Sequence, residues 1–476
     1  MIRDDQNSRG RLGQQIALGG LAIYVAFAPH SVAASAIGVA IAGIGWLIRT
    51  FSTGNTGLRR SKFDLIIVLS LLWTALSALL SEEPRISIAK LQASWCVFLF
   101  YLARATVKRS SALALTVLLI VSGSVGALYS SFDLLRGRGV VVESITPNSP
   151  LKQVGIQPGD TIWQINRHRV YSATEIDRLL TEAALNTSVS VGIISQGEQV
   201  ERSFTLTQPT TSGVIGTDHN HQFRASGWTR HYQTFAELMS MIALLALGLA
   251  LANLRNHGPN KYFRIAIVAA VLLTAGLVFT AMRTVIVAFV IGASVIALRS
   301  LRGKMKIVFT FALFFVLAFG AVVVWQTRDR SALLLGDSSS SMRMEVARVG
   351  LSRILIHPIF GHGMDAMQKH WTEWGFPGKD MLHLHSTPLQ LAFDRGLPML
   401  ALWLWLMIAF WLFIARAERT ASDLSDTNSF GILLGILGAL TAFLASSLVN
   451  YNYGDAEVAM MFWFLMGVAM SAKAVQ

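Results

Sequence analysis

The chain has 476 residues, of which 53% are apolar and only 14% charged, and its mean hydropathy is +0.51. That balance excludes a soluble multidomain protein and indicates a polytopic membrane protein. The net charge of +13 fits basic loops at an anionic lipid surface and gives no ground for nucleic-acid binding.

Apolar windows of about 18 to 25 residues mark membrane spans. They fall near 14–30, 32–48, 63–81, 86–103, 111–132, 234–253, 263–281, 284–299, 306–325, 399–416, 429–449 and 456–473. About twelve helices are therefore expected. Arg3, Arg9 and Arg11 precede the first span without a convincing cleavage site after it, so it reads as a retained anchor. The fourth span holds the lone cysteine, Cys96, which permits no internal disulfide.

Basic residues of short loops stay on the cytoplasmic side. Arg49, Arg59, Arg60, Lys62, Arg104, Lys108, Arg109, Arg255, Lys261, Arg264, Arg299, Arg302, Lys304, Lys306, Arg416, Arg419 and Lys473 fall on one side with the N-terminal arginines. The short loops opposite carry only Arg85 and Arg283. Both termini are expected to be cytoplasmic, and two long polar segments, near 133–233 and 326–398, to face outward.

The chain divides accordingly into helices 1–5 over 1–132, a small soluble domain over 133–208 and a polar linker over 209–233. Helices 6–9 follow over 234–325, then a large outer loop over 326–398 and helices 10–12 over 399–476.

The soluble segment has its own pattern. Val140 to Thr146 is a β-branched run ending in Pro147-Asn148-Ser149-Pro150, and Gly155 to Asn166 is a turn followed by a strand. Ser172-Ala-Thr-Glu175 has the form of a helix-starting capping box, with Ile176, Leu179, Leu180 and Ala183 on one face. Ser188–Ile194 and Val200–Leu206 alternate like a closing hairpin. Over 137–208 these residues resemble a PDZ domain of the circularly permuted kind found in bacterial periplasmic proteases. Arg167 replaces the glycine of the usual Asn-Gly turn, and the carboxylate-binding glycine loop is not evident before Val140. The resemblance implies a peptide or protein partner captured by strand addition; a spacer or docking module is the other reading. His219 and His221, in the linker, read as solvated.

Arg283 stands in the tight outer turn Phe279-Thr-Ala-Met-Arg283-Thr284, against the positive-inside trend. A wrong-side charge usually has a reason, the ordinary alternative being an arginine that snorkels to headgroups. Arg224, in Phe223-Arg224-Ala-Ser-Gly227-Trp-Thr-Arg230, lies just before the sixth span.

The second outer segment carries an amphipathic helical stretch from Met342 with Arg343, Arg348 and Arg353. After it come Pro358-Ile-Phe-Gly361-His362-Gly363 and His383-Leu-His385-Ser386. Ser386 is a good N-cap, Pro388 suits a first turn, and Gly396 is a stop after Arg395. His385 is thereby expected beside the positive end of a helix, where phosphate oxygens bind. A zinc site from His383, His385, His362 and His370 with Asp365 or Glu373 matches no standard spacing, and no metal is assigned.

Three features resemble the O-antigen ligase superfamily of bacterial inner-membrane glycosyltransferases. They are the His385-Ser386 pair with Gly396 eleven positions on, the Pro358-x-x-Gly361-x-Gly363 turn, and Arg283 at an outer turn; the Arg224-x-x-Gly227 stretch is similar to that family as well. The resemblance covers nearly all of the chain outside the PDZ-like insert. It implies an all-α, GT-C-like membrane fold and transfer of a glycan from undecaprenyl pyrophosphate to a periplasmic acceptor hydroxyl, without metal, nucleotide sugar or other cofactor. Lipid A core is the leading acceptor, ahead of a growing glycan (a polymerase) or a protein (an O-oligosaccharyltransferase).

In that chemistry His385 is the general base, with an ordinary pKa near 6.5. Arg224 and Arg283 clamp the leaving pyrophosphate. Arg343, Arg230, Ser386 and Gly396 are further substrate-binding candidates. Other classes fit less well: no His-Glu-x-x-His protease motif occurs, and a transporter more typically shows two related halves. A non-catalytic PDZ scaffold is the remaining alternative.

Overall fold

The computed structural model describes residues 2–166, 168–195, 198–208, 211–221, 223–229, 231–304, 306–307, 338–378 and 383–473. The expected span at 306–325, the start of the second outer segment, Arg167 and Arg230 fall outside the described residues, save for residues 306 and 307. Two compact units are formed, one of residues 1–125, 228–278 and 282–476, the other of 126–227 and 279–281.

The first unit is helical. Among the described residues nine helices are long and apolar enough to cross a membrane, so this is a multi-pass membrane protein. Ala456–Ala472 is apolar but shorter, and the expected 14–30 span overlaps the helix Ile2–Phe27, which ends three residues earlier and is not among the nine. Ile2–Phe27 and Val32–Thr53 form a hairpin that small residues bring into backbone contact: a Cβ on Gly20 would stand 2.3 Å from Ala42 N. Without a hydrophobic force between helices in lipid, such close packing is a main source of association. Tyr232–His257 is buried along most of its length beside Thr427–Ser447, with Gly248 and Gly435 facing one another.

One expected span is interrupted, and another is preceded by a kink. The fourth is broken into Pro84–Lys90, a 3₁₀ stretch Leu91–Cys96 and Val97–Thr106. The tenth belongs to Thr387–Asp423, which is kinked at Gly396 (φ 79°, ψ 171°) with Pro398 just beyond. This backbone is one that glycine alone adopts readily, and proline cannot continue the ladder across it.

The second unit is a small α+β domain. Val140–Val141, Thr161–Ile165, Thr187–Ser195 and Glu198–Leu206 make an antiparallel sheet in that order, with His168–Arg169 paired to Thr161–Ile165. The alternation of the hairpin sets its register, with Val189 opposite Phe204 and Ile193 opposite Val200. Helix Ala173–Glu182 starts as its sequence dictates: Ser172 Oγ accepts from Glu175 N at 3.2 Å and Glu175 Oε2 accepts from Tyr171 N at 2.7 Å. Ile176 and Leu180 enter a core with Val140, Ile162, Val189 and Val191.

Residues 213–220 then return antiparallel beside 138–146. Val214–Ile215 pairs with Ser144–Ile145, and Asn220 bridges Arg138. His219, expected to be solvated, is half-buried with Nδ1 2.7 Å from the Gly139 carbonyl, whereas His221 is exposed as expected, its Nδ1 3.0 Å from the Leu134 carbonyl. The return strand forms because a sheet edge left open at 138–146 satisfies its backbone groups there.

Candidate active site

The His385 segment is held from several sides. Leu384 N donates to Gln390 Oε1 at 2.7 Å, and Gln390 Nε2 donates to buried Asp394 at 2.8 Å. His385 itself has a left-handed backbone, φ 51°, a costly conformation for a side-chain-bearing residue that persists only where its surroundings impose it. Its ring is half-buried, 4.8 Å from that of His383, which lies 5.6 Å from Tyr451.

The helix start is not the anion site that the sequence suggests. Thr387 N donates to Asn450 O (3.1 Å), Pro388 has no N–H, and Leu389 N is capped by Ser386 Oγ (3.5 Å). Every first-turn amide is accounted for, because Ser386 and Asn450 satisfy the donors that a bare helix start would offer. Ser386 is thus a cap.

The positive charge beside His385 comes from a side chain. Arg343, on Ser338–Ile356, lies close enough to act electrostatically on His385. Burial above all, then His383, then Arg343, pushes His385 down to about 4, and burial likewise lowers His383. Two buried nitrogens here, His385 Nε2 and Arg343 Nε, have no hydrogen-bond partner among the described residues. Such groups are costly unless something binds them.

Asn450 connects this segment to Thr284, the neighbour of Arg283 in sequence. Its carbonyl takes Thr387 N and Thr387 Oγ1 (both 3.1 Å), and its Nδ2 donates to Thr284 Oγ1 at 3.0 Å. Arg283 opens the helix Arg283–Ser300 with an exposed side chain that has no hydrogen bond or ion pair among the described residues. Arg224, half-buried, belongs to the other unit, where the neighbouring Ala225 N donates to Phe279 O at 2.9 Å.

The Pro358–Gly363 turn and the end of the His385 helix are packed as one piece. His362 N and Gly363 N donate to Phe393 O (2.8 Å) and Asp394 O (3.0 Å), and Leu397 N donates to Pro358 O (2.8 Å). A Cβ on Gly396 would lie 1.8 Å from Ile359 O, which makes that glycine a packing requirement. Beside it a cavity of about 230 Å³ is lined by Asp394, Arg395, Tyr451, Tyr453, Trp403 and Lys90, among others.

The sequence reading missed Gln390, Asp394, Arg395 and Asn450. An acid and a base adjacent in an otherwise apolar helix, Asp394-Arg395, was the available signal; Asn450 offered none. For metals, the cluster among the described residues is Glu82, His357 and His362, distinct from His383 and His385.

Comparison with known proteins agrees with this architecture. Residues 268–404 match the family model for O-antigen ligase, and residues 123–206 match that of a PDZ domain. Shorter matches join the chain to proteins named as proteases. The magnetosome formation protease MamE of Magnetospirillum gryphiswaldense is 33% identical over 66 residues, 14% of this chain and 8% of that protein. A probable periplasmic serine endoprotease DegP-like of Hahella chejuensis is 27% identical over 74 residues, 16% of each chain. The chain spans only that small fraction of these relatives, the length of a single small domain. The segment holding Arg283, Arg343 and His385 thus carries an O-antigen ligase family match, within a membrane protein that also has a PDZ domain.

Proposed function

We propose that this protein transfers a glycan from undecaprenyl pyrophosphate to an acceptor hydroxyl at the periplasmic face of a bacterial inner membrane, with both termini cytoplasmic. His385 accepts the proton of the attacking hydroxyl as the anomeric carbon to phosphate bond breaks. The pyrophosphate leaves with its negative charge, which Arg283 and Arg343 offset. Arg224 is proposed as a further pyrophosphate ligand on its sequence motif. Lipid A core is the proposed acceptor, and the PDZ domain is proposed to take a peptide.

The observation that carries this reading is the pair of unpartnered buried nitrogens, His385 Nε2 and Arg343 Nε, beside a backbone strained at His385. A base and a cation that each keep one buried nitrogen unpartnered among the described residues suit a substrate carrying both a hydroxyl and an anion. A base lowered to about 4 is weak in the free protein. Arrival of a pyrophosphate favours its charged form and raises its proton affinity when the donor is bound, which couples base strength to donor binding.

His385→Ala should abolish transfer at normal protein levels; unchanged transfer refutes the proposal. In a deletion strain, full-length polymer retained on undecaprenyl pyrophosphate supports ligation. Single repeat units attached to core would instead identify a polymerase.

A further inference from the structure

Away from His385, His357 and His362 flank the Pro358–Gly361 turn, and Glu82 lies just past the Lys62–Leu80 helix. His362 Nδ1 is 2.6 Å from Glu82 Oε2, His357 Nε2 is 3.9 Å from the same oxygen, and the three ligand atoms lie within 4.8 Å of one another. The His362 side chain is 1% exposed and stacked on Phe393, with ring centroids 4.7 Å apart.

The other ring nitrogen decides what this means. His362 Nε2 is 3.0 Å from the carbonyl of Arg353, and a carbonyl only accepts, so Nε2 carries the hydrogen. In a neutral ring Nδ1 then presents a lone pair to a carboxylate oxygen. Two acceptors that close require something positive between them, either a second ring proton or a cation. A proton needs one donor and one acceptor; here a second imidazole, His357, converges on the same oxygen.

We propose that Glu82, His357 and His362 bind a divalent transition-metal ion of the zinc class. Two imidazoles and a carboxylate form a ligand set that such ions favour. A ligating histidine with its remaining N–H on a backbone carbonyl is the usual supporting arrangement. Glu82 and His357 side chains are 38% and 45% exposed, which leaves an entry path and a position for water. Metal–ligand bonds of about 2.0–2.2 Å need the His362–Glu82 contact to open slightly, and the exposed Glu82 is free to swing. The ion ties the Pro358–Gly363 turn to the Glu82 turn, beneath Phe393 on the His385 helix. Its role is to position that helix.

The test uses full-length, tag-free protein in nanodiscs, stripped with chelator, dialysed, and titrated calorimetrically with Zn²⁺ and separately with Mg²⁺. One zinc per chain is expected, with no comparable uptake of Mg²⁺. His357→Ala and Glu82→Gln should each weaken zinc binding at least ~10-fold, and the rise in thermal midpoint on adding zinc should disappear in His357→Ala. His357 is exposed, so its replacement leaves the fold intact. No zinc uptake by the unsubstituted protein, uptake unaffected by both substitutions, or equal uptake of Mg²⁺ overturns the proposal. Destabilisation by Glu82→Gln without zinc uptake would identify a proton-shared pair and overturn it likewise.

Discussion

The backbone amide of Leu384 donates to the side-chain oxygen of Gln390 at 2.7 Å, and this bond fixes the chain just before the left-handed His385. Gln390 is buried and also reaches Asp394, so it ties the segment to its own helix. Gln390→Leu removes both bonds and leaves a buried amide unsatisfied, at a cost of about 1–3 kcal/mol. Glycan transfer by purified protein should fall at least ~10-fold, mainly in kcat, because positioning is lost. An unchanged kcat would show that Gln390 does not hold the base.

Arg343 should govern both donor affinity and the proton affinity of His385. Burial is the main reason that His385 lies low, with His383 and then Arg343 adding to it. Arg343→Gln is expected to raise the KM for donor and to move the acidic limb of the pH–rate profile upward. A limb that stays in place would mean that Arg343 is too far away to matter.

Stability should depend on pH in two opposite ways. His385, lowered in the folded protein to about 4, binds fewer protons than the unfolded chain between about 4 and 6.5. Its contribution is complete above about 6.5 and is lost as pH falls toward 4. His370 is raised, first by Glu373 and then by Glu83, so its contribution is present below about 6.5 and is lost as pH rises through its folded value. Thermal melts should show His385→Gln flattening the acid-side loss and His370→Gln flattening the loss on the alkaline side. Identical pH slopes in all three proteins would contradict both assignments.

Two glycines of similar φ differ in what an added Cβ would meet. Gly396 (φ 79°) has Ile359 O where a Cβ would sit, at 1.8 Å, whereas Gly375 (φ 78°) has nothing within 4 Å. Gly375→Ala should cost about 1–2 kcal/mol from left-handed strain alone. Gly396→Ala should cost more than about 4 kcal/mol, in the range reserved for specific mechanisms, and sharply reduce folded protein in the membrane. Equal yields and melting points for the two variants would count against the Ile359 contact.

In the PDZ unit Arg138, with 1% of its side chain exposed, pairs with Asp133, which is nearly as buried, and its guanidinium lies 4.2 Å from the centre of the Phe223 ring. Asp133→Ala strands a buried charge and should destabilise the domain by about 3–5 kcal/mol. Hydrogen exchange should rise across Val140–Val141 and Thr161–Ile165; protection unchanged from that of the native chain would contradict the prediction.

The sequence by itself determined what depends on local pattern. Apolar windows marked most of the membrane helices, alternation over 188–194 and 200–206 gave the hairpin, Ser172 and Ser386 gave helix starts, and Gly396 gave a stop. These follow from solvation, periodicity and backbone sterics, which act over a few residues. Only the tertiary structure decided which groups stay free. Asn450, more than sixty residues beyond Thr387, takes the amide that an isolated helix start would offer to phosphate. Residues 213–220 return beside 138–146, pairing as a strand at Val214–Ile215, because that edge is open, and Glu82 meets His362 across 280 positions. Hydrogen-bond satisfaction and burial are properties of the assembled unit. Among the described residues they left His385 Nε2 and Arg343 Nε unpartnered, and they lowered the proton affinity of His385 in a way that no spacing in the chain could express.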